Sequence, residues 1–164
     1  MPNISLSSRC NLHCPYCFAH ETMGAGSGDI TLENFDAALE FLTRTGPVNI
    51  GLIGGEPTLH PHFDEIVRRA VACENVAMLT VYTNGLLIEK HADVLSLPKV
   101  TLLVNWNAPN ELREGAFEQI KRGVDELVFN RDMRRRINLG LNLHGETMEY
   151  GYMLDLLKRY GFDK

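Results

Sequence analysis

No stretch of this sequence approaches the ~20 consecutive apolar residues that a helix needs to cross a bilayer. Its N-terminus does not run from a basic segment into an apolar signal core either. The expectation is a cytoplasmic chain with no membrane partner. Basic charge is also scarce, 16 Lys and Arg against 21 Asp and Glu, for a net charge of −5. That balance provides no electrostatic footprint for nucleic acid. The one basic run, Arg131 to Arg136, is broken by Asp132 and Met133, and it reads as a solvated turn. Short repeats and a clear linker are missing too. With 164 residues and 45% hydrophobic content, residues 1–164 are expected to form one domain around one core.

Cysteine is rare and unevenly placed. Three of the four lie in Cys10-Asn11-Leu12-His13-Cys14-Pro15-Tyr16-Cys17. In a reducing compartment such a group binds metal or performs redox chemistry rather than forming disulfides. Thiolates are soft ligands, and a cluster of four irons held by three of them keeps one iron open, as a catalytic zinc keeps one position open. The Cys-x3-Cys-x2-Cys spacing therefore suggests a centre that binds a substrate or cosubstrate directly. Two further readings stay open at this point. Cys14-Pro15-Tyr16-Cys17 is also the redox motif of glutaredoxins, with a thiolate nucleophile. A structural zinc site completed by His13 or His20 fits the spacing as well. The fourth cysteine, Cys73, follows the apolar-rich run Ile66 to Ala72 and is expected to be a buried helical thiol.

Apolar strands alternate with amphipathic helices along the chain, the pattern of a parallel sheet. Strands are expected near Asn3 to Ser7, Val48 to Ile53, Ala77 to Tyr82, Val100 to Asn105 and Ile137 to Leu143. The glycine-rich stretch Gly24 to Gly28 reads as a flexible connection. Thr31 is placed to cap a helix bearing Leu32, Phe35, Ala38, Leu39 and Leu42. Further helices carry Phe63, Ile66, Val67, Ala70 and Val71; then a short segment before Pro98; then Phe117, Ile120, Val124 and Leu127; and last Met153, Leu156, Leu157 and Tyr160. His60 and His62 fall at a helix start. Each strand alternates, as in Val100, Leu102 and Val104 against Thr101, Leu103 and Asn105, or Ala77, Leu79 and Val81 against Met78, Thr80 and Tyr82. A curved sheet with helices outside and a polar cavity inside gives this pattern. Full eight-unit barrels need ~250 residues, so the expected fold is α/β, a partial TIM-like barrel with five βα units. The cysteine loop, Gly54-Gly55-Glu56, Thr83-Asn84-Gly85 and the stretch after Asn105 all follow strand ends, where parallel α/β folds carry their chemistry.

These residues resemble the radical S-adenosylmethionine (radical SAM) enzymes, most specifically in Cys10 to Phe18 after the first strand and Gly54-Gly55-Glu56-Pro57 after the second. The resemblance implies that Cys10, Cys14 and Cys17 hold a 4Fe-4S cluster whose open iron is chelated by S-adenosylmethionine. It implies that Glu56 receives the methionine ammonium while Gly54 and Gly55 let the backbone approach. Tyr16 would lie near the adenine, and Asn105 and Asn107 would meet the ribose. Gly140, Asn142 and His144 occupy the place of the family's fifth-strand adenine motif. Thr83 and Asn84 join Tyr16, Gly54, Gly55, Glu56, Asn105 and Asn142 as cofactor-binding candidates at the mouth. The implied activity is reductive cleavage of S-adenosylmethionine to a 5′-deoxyadenosyl radical that takes hydrogen from a small-molecule or peptide substrate. An electron donor such as flavodoxin or ferredoxin would be a partner. Trp106 is expected to pack or to contact substrate. The family usually adds a sixth unit and a substrate domain, so the chain is expected to be a fragment.

Overall fold

A computed structural model describes residues 1–17, 28–142 and 151–161 of the chain. Five strands alternate with five helices: β1 (Asn3–Ser5), α1 (Leu32–Thr43), β2 (Val48–Ile53), α2 (Phe63–Ala72), β3 (Val76–Thr83), α3 (Ala92–Leu95), β4 (Val100–Asn105), α4 (Ala116–Asp125), β5 (Ile137–Gly140) and α5 (Gly151–Tyr160). The strands form one sheet in the order β1-β2-β3-β4-β5, and every neighbouring pair is parallel. Because the order never reverses, right-handed crossovers carry every connecting helix to the same side of the sheet. The sheet is singly wound, as in a barrel, and the expected partial barrel is observed.

Register explains the core. Ile4 pairs with Leu52, Leu52 with Val81, Val81 with Leu102, and Leu102 with Ile137, so one apolar row crosses all five strands. All five residues are buried. Against this face pack Phe35 and Leu39 of α1, Phe63, Ile66, Val67 and Ala70 of α2, and Ile120 and Val124 of α4. These are the positions that helical spacing singled out. At roughly 1.5–3 kcal/mol for each large side chain fully buried, this face supplies the main drive to fold. The opposite face carries Asn3, Gly51, Thr80 and Thr101 in one register row. Here the Thr80 and Thr101 hydroxyls hydrogen-bond at 3.0 Å. The polar alternate face expected of a cavity lining is therefore present.

Thr31 caps α1 as expected, its hydroxyl accepting from the Asn34 N–H at 3.1 Å. Two expectations need correcting. Ala77 is exposed and Val76 buried, because the β2–β3 register jumps from Val48↔Val76 to Asn49↔Met78 and leaves Ala77 as the extra residue of a bulge. Cys73 is the C-cap of α2 and partly exposed, not a buried helical thiol. Of the two roles expected for Trp106, packing is the one seen: it is fully buried, its ring tilted against those of Phe117 and Tyr160 at centroid distances of 5.4 and 6.3 Å. Strand β5 is assigned only to Gly140, and Leu143, His144, His20, Phe18 and Gly24 to Ser27 lie outside the described residues.

Candidate functional site

Four segments meet where the strands end. β1 runs on through Leu6 and Ser7 into the cysteine loop, and the turn after β2 is stitched to it: Gly55 N–H donates to Ser7 O at 2.8 Å and Glu56 N–H to Arg9 O at 2.7 Å. Gly54 has φ +150°, and a Cβ there would lie 2.4 Å from Ser7 O, so only glycine permits this approach. Below the loop, Asp29 accepts from the Ser7 hydroxyl at 2.7 Å and from the Arg9 guanidinium at 3.2 and 2.7 Å. The same guanidinium reaches Leu59 O at 2.9 Å. Ser7, Arg9 and Asp29 thus brace the base of the cysteine loop, a role that residue type and spacing did not signal.

Glu56 is the centre of the next layer and is 1% exposed. Its Oε1 accepts from Thr58 N–H at 3.2 Å, the Thr58 hydroxyl at 2.6 Å and the Thr83 hydroxyl at 2.7 Å, while Oε2 accepts from Asn84 N–H at 2.7 Å. Burial pushes its carboxyl above the usual range, and the four donors pull the other way. Asn84 extends the network, its amide donating to Asn11 Oδ1 at 2.7 Å. Thr83 and Asn84 therefore stand at the mouth, as the sequence suggests, with the Thr83 hydroxyl and the Asn84 backbone N–H directed at Glu56. Thr58 was missed. Its signal is a hydroxyl two residues beyond an acid that opens a short helical turn, Pro57–Leu59.

On the other side of the mouth, Asn107 is buried; its Nδ2 donates to Cys14 Sγ at 3.3 Å, and its Oδ1 accepts from the Tyr16 hydroxyl. Tyr16 also bonds to the Asn142 side chain, and burial pushes its phenol up to about 12. Asn142 Nδ2 in turn donates to Asn105 Oδ1 at 2.9 Å. The candidates Tyr16, Asn105 and Asn142 are thus brought into one network with Cys14, and Asn107 is its hub. Burial above all pushes the Cys10 thiol pKa up, a hydrogen bond from the Leu12 backbone opposes it, and the nearby Glu56 carboxylate adds to the rise. The three thiols are free and partly accessible. Cys14 and Cys17 are joined by a backbone bond, Cys17 N–H to Cys14 O at 3.1 Å, which closes the turn between them. Among the described residues, no three His, Cys, Asp or Glu side chains gather around one point as the ligands of a single ion would. A cubane cluster asks for something different, since each thiolate meets its own iron.

The model of the radical SAM superfamily matches residues 4–157. The chain belongs to this superfamily. Radical SAM proteins use a 4Fe-4S cluster and S-adenosylmethionine, and the donor set here fits that pair: three free thiols on one loop, facing a buried carboxylate across the mouth. The chain is 28% identical over 142 residues to the GTP 3′,8-cyclase of Chlorobaculum tepidum, covering 82% of this chain and 43% of that protein. It is 34% identical over 122 residues to the GTP 3′,8-cyclase of Pelotomaculum thermopropionicum, covering 73% and 37%. The chain thus spans about two-fifths of the length of these curated relatives. Among solved structures, BtrN in complex with AdoMet and 2-DOIA aligns with a TM-score of 0.67 at 21% identity, covering 85% of this chain and 55% of that one. The fold is therefore shared with a protein that was solved with AdoMet bound. The five-stranded parallel order also differs from the shorter mixed sheet that the glutaredoxin-like reading of Cys14 to Cys17 requires. Among the described residues no helix is long and apolar enough to cross a membrane.

Proposed function

We propose that residues 1–164 form a single radical SAM domain in which Cys10, Cys14 and Cys17 hold the cluster and the opposite rim of the mouth holds S-adenosylmethionine. The observation that carries this reading is the hydrogen-bonded continuity of the cysteine loop with Glu56 on one side and with Asn105, Asn107 and Asn142 on the other. Bound together, the two cofactors supply one-electron reductive cleavage of S-adenosylmethionine and hydrogen-atom abstraction from a substrate. The chain's own residues bind and orient. Among the described residues Glu56 Oε2 accepts one donor, which leaves it acceptor capacity for the methionine ammonium in a water-poor setting where a charge-assisted bond is strong. Gly54 lets the cysteine loop close on the turn that carries Glu56, Gly55 keeps a Cβ away from the ammonium, Tyr16 offers a ring for the adenine, and Asn105 and Asn142 offer amides for the ribose and base.

The thiols must stay reduced until loaded, which suits a cytoplasmic setting. The electron comes from a one-electron donor of the flavodoxin or ferredoxin type. The substrate is a small molecule or peptide, and the naming of the relatives as GTP 3′,8-cyclases makes GTP the first to assay.

Anaerobic reconstitution with iron and sulfide tests the reading. The expected product binds about four irons per chain and has a broad visible absorption that dithionite bleaches. Replacing Cys10, Cys14 and Cys17 together by alanine abolishes both. Addition of S-adenosylmethionine changes the EPR spectrum of the reduced cluster. A wild-type chain that retains no iron under these conditions overturns the assignment.

A further inference from the structure

The hub residue on the fourth strand's exit does more than line the mouth. Asn107 is 7% exposed and both ends of its amide are engaged, Nδ2 with Cys14 Sγ at 3.3 Å and Oδ1 with the Tyr16 hydroxyl. An amide has one donating and one accepting end, so a partner that donates to the oxygen commits the nitrogen to the other side. Here the other side is sulfur. The Tyr16 hydroxyl is itself placed by the bond to Asn142 and by the turn that Cys14 and Cys17 close.

We propose that Asn107 is a positioning residue that raises the reduction potential of the metal centre by donating an N–H···S hydrogen bond to Cys14, with Tyr16 fixing the direction of that bond. The inference rests on the cluster assignment above. Reduction adds negative charge that the ligating sulfurs share. A hydrogen-bond donor on one of them stabilises the reduced state more than the oxidised one, so the potential rises. The same bond limits how far Cys14 can swing from the mouth, because Asn107 lies two residues beyond β4, which is paired on both sides, and follows the fully buried Trp106. Asn105, two residues earlier, has its side chain on Asn142. The two asparagines of this strand exit thus take different tasks, the first towards the cofactor's organic part and the second towards sulfur.

The test is a redox titration of the reconstituted full chain followed by EPR, with iron content measured on every sample. Asn107→Leu keeps the volume and removes the donor; Asn107→Asp also keeps the volume and adds charge near the sulfur. Both are expected to retain wild-type iron and to shift the midpoint to more negative potential, Asp further than Leu. Tyr16→Phe removes the phenol's own hydrogen bond with Cys14 and also frees the amide to turn its oxygen towards that sulfur, so it is expected to shift the midpoint the same way. A midpoint in Asn107→Leu equal to wild type overturns the proposal even if Asn107→Asp moves, since charge alone would explain the latter. Loss of iron from both Asn107 variants also overturns it, because the residue would then hold the loop together and not set the potential. A wild-type chain without iron fails the assignment of the cluster itself and is a distinguishable result.

Discussion

Glu56 ties its own turn to the exit of β3 through one carboxylate, and its partners define what a substitution there does. Two of its four donors are backbone N–H groups, of Thr58 on Oε1 and of Asn84 on Oε2. In Glu56→Gln the hydroxyls of Thr58 and Thr83 can rotate and become acceptors, but the two N–H groups cannot. Whichever way the new amide turns, its NH2 faces one of them, and a buried donor is left unpaired at about 1–3 kcal/mol. We expect Glu56→Gln to lower the unfolding free energy by about that amount in urea titrations, with the relief of a buried charge offsetting part of it. An unchanged midpoint at equal slope would count against the network. At this scale the sequence was informative where the residue type is chemically committed. Three cysteines in eight positions and a carboxylate after two glycines have few other uses. It was silent on Thr58, Ser7, Arg9 and Asp29, whose types occur everywhere and whose roles depend on partners up to 50 positions away, as in Arg9 with Leu59.

Elements were legible to the extent that burial follows a simple period. Strand β4 alternates buried and half-buried from Val100 to Asn105 without exception, and the core positions of α1, α2 and α4 keep helical spacing. The period failed at Ala77, because a bulge is an inserted residue whose presence depends on the partner strand. Gly123 in α4 marks a second limit of local reasoning. Helix propensity alone makes Gly→Ala worth about 1 kcal/mol of added stability. In this helix a Cβ at 123 would lie 2.8 Å from Ile88 Cβ and 3.1 Å from Glu89 N, both part of the packed segment after β3. The close approach of α4 to that segment exists because the glycine has no side chain. Gly123→Ala is therefore expected to destabilise by about 1–3 kcal/mol, the range for overpacking a filled site. A stabilised variant in thermal and urea unfolding would show that α4 can move outward freely.

At the scale of the molecule, sequential strand order turns local alternation into a two-sided object with helices on one face and a polar lining on the other. This was readable because parallel pairs require crossovers of one hand. The hydrogen bonds that draw the exits of β1, β2, β3 and β4 around one mouth were not, since they join residues with no pattern between them. The last helix closes this arrangement with two phenols: Tyr152 donates to Trp106 O at 2.9 Å, and Tyr160 donates to Asp125 Oδ1 at 2.8 Å. Together with Tyr16 at the mouth, they couple the fold to alkaline pH. Burial pushes Tyr16 and Tyr152 from the ordinary 10.0 up to about 12, and burial followed by the Asp125 charge pushes Tyr160 higher still. A raised phenol stabilises the native state fully below its unfolded pKa. The unfolded chain then loses its protons first, so stability falls as pH climbs from about 10 through the native values. The urea midpoint should hold steady up to about pH 9 and decline steeply above about pH 10. The part of the tyrosinate absorbance that belongs to these three phenols, read as the difference from the chain in which all three are Phe, should rise together with unfolding, not before it. The combined Tyr16→Phe, Tyr152→Phe, Tyr160→Phe chain should begin less stable at neutral pH, having lost those hydrogen bonds, and show a shallower decline above about pH 10. A decline of equal steepness in the two chains would assign the alkaline transition to other groups.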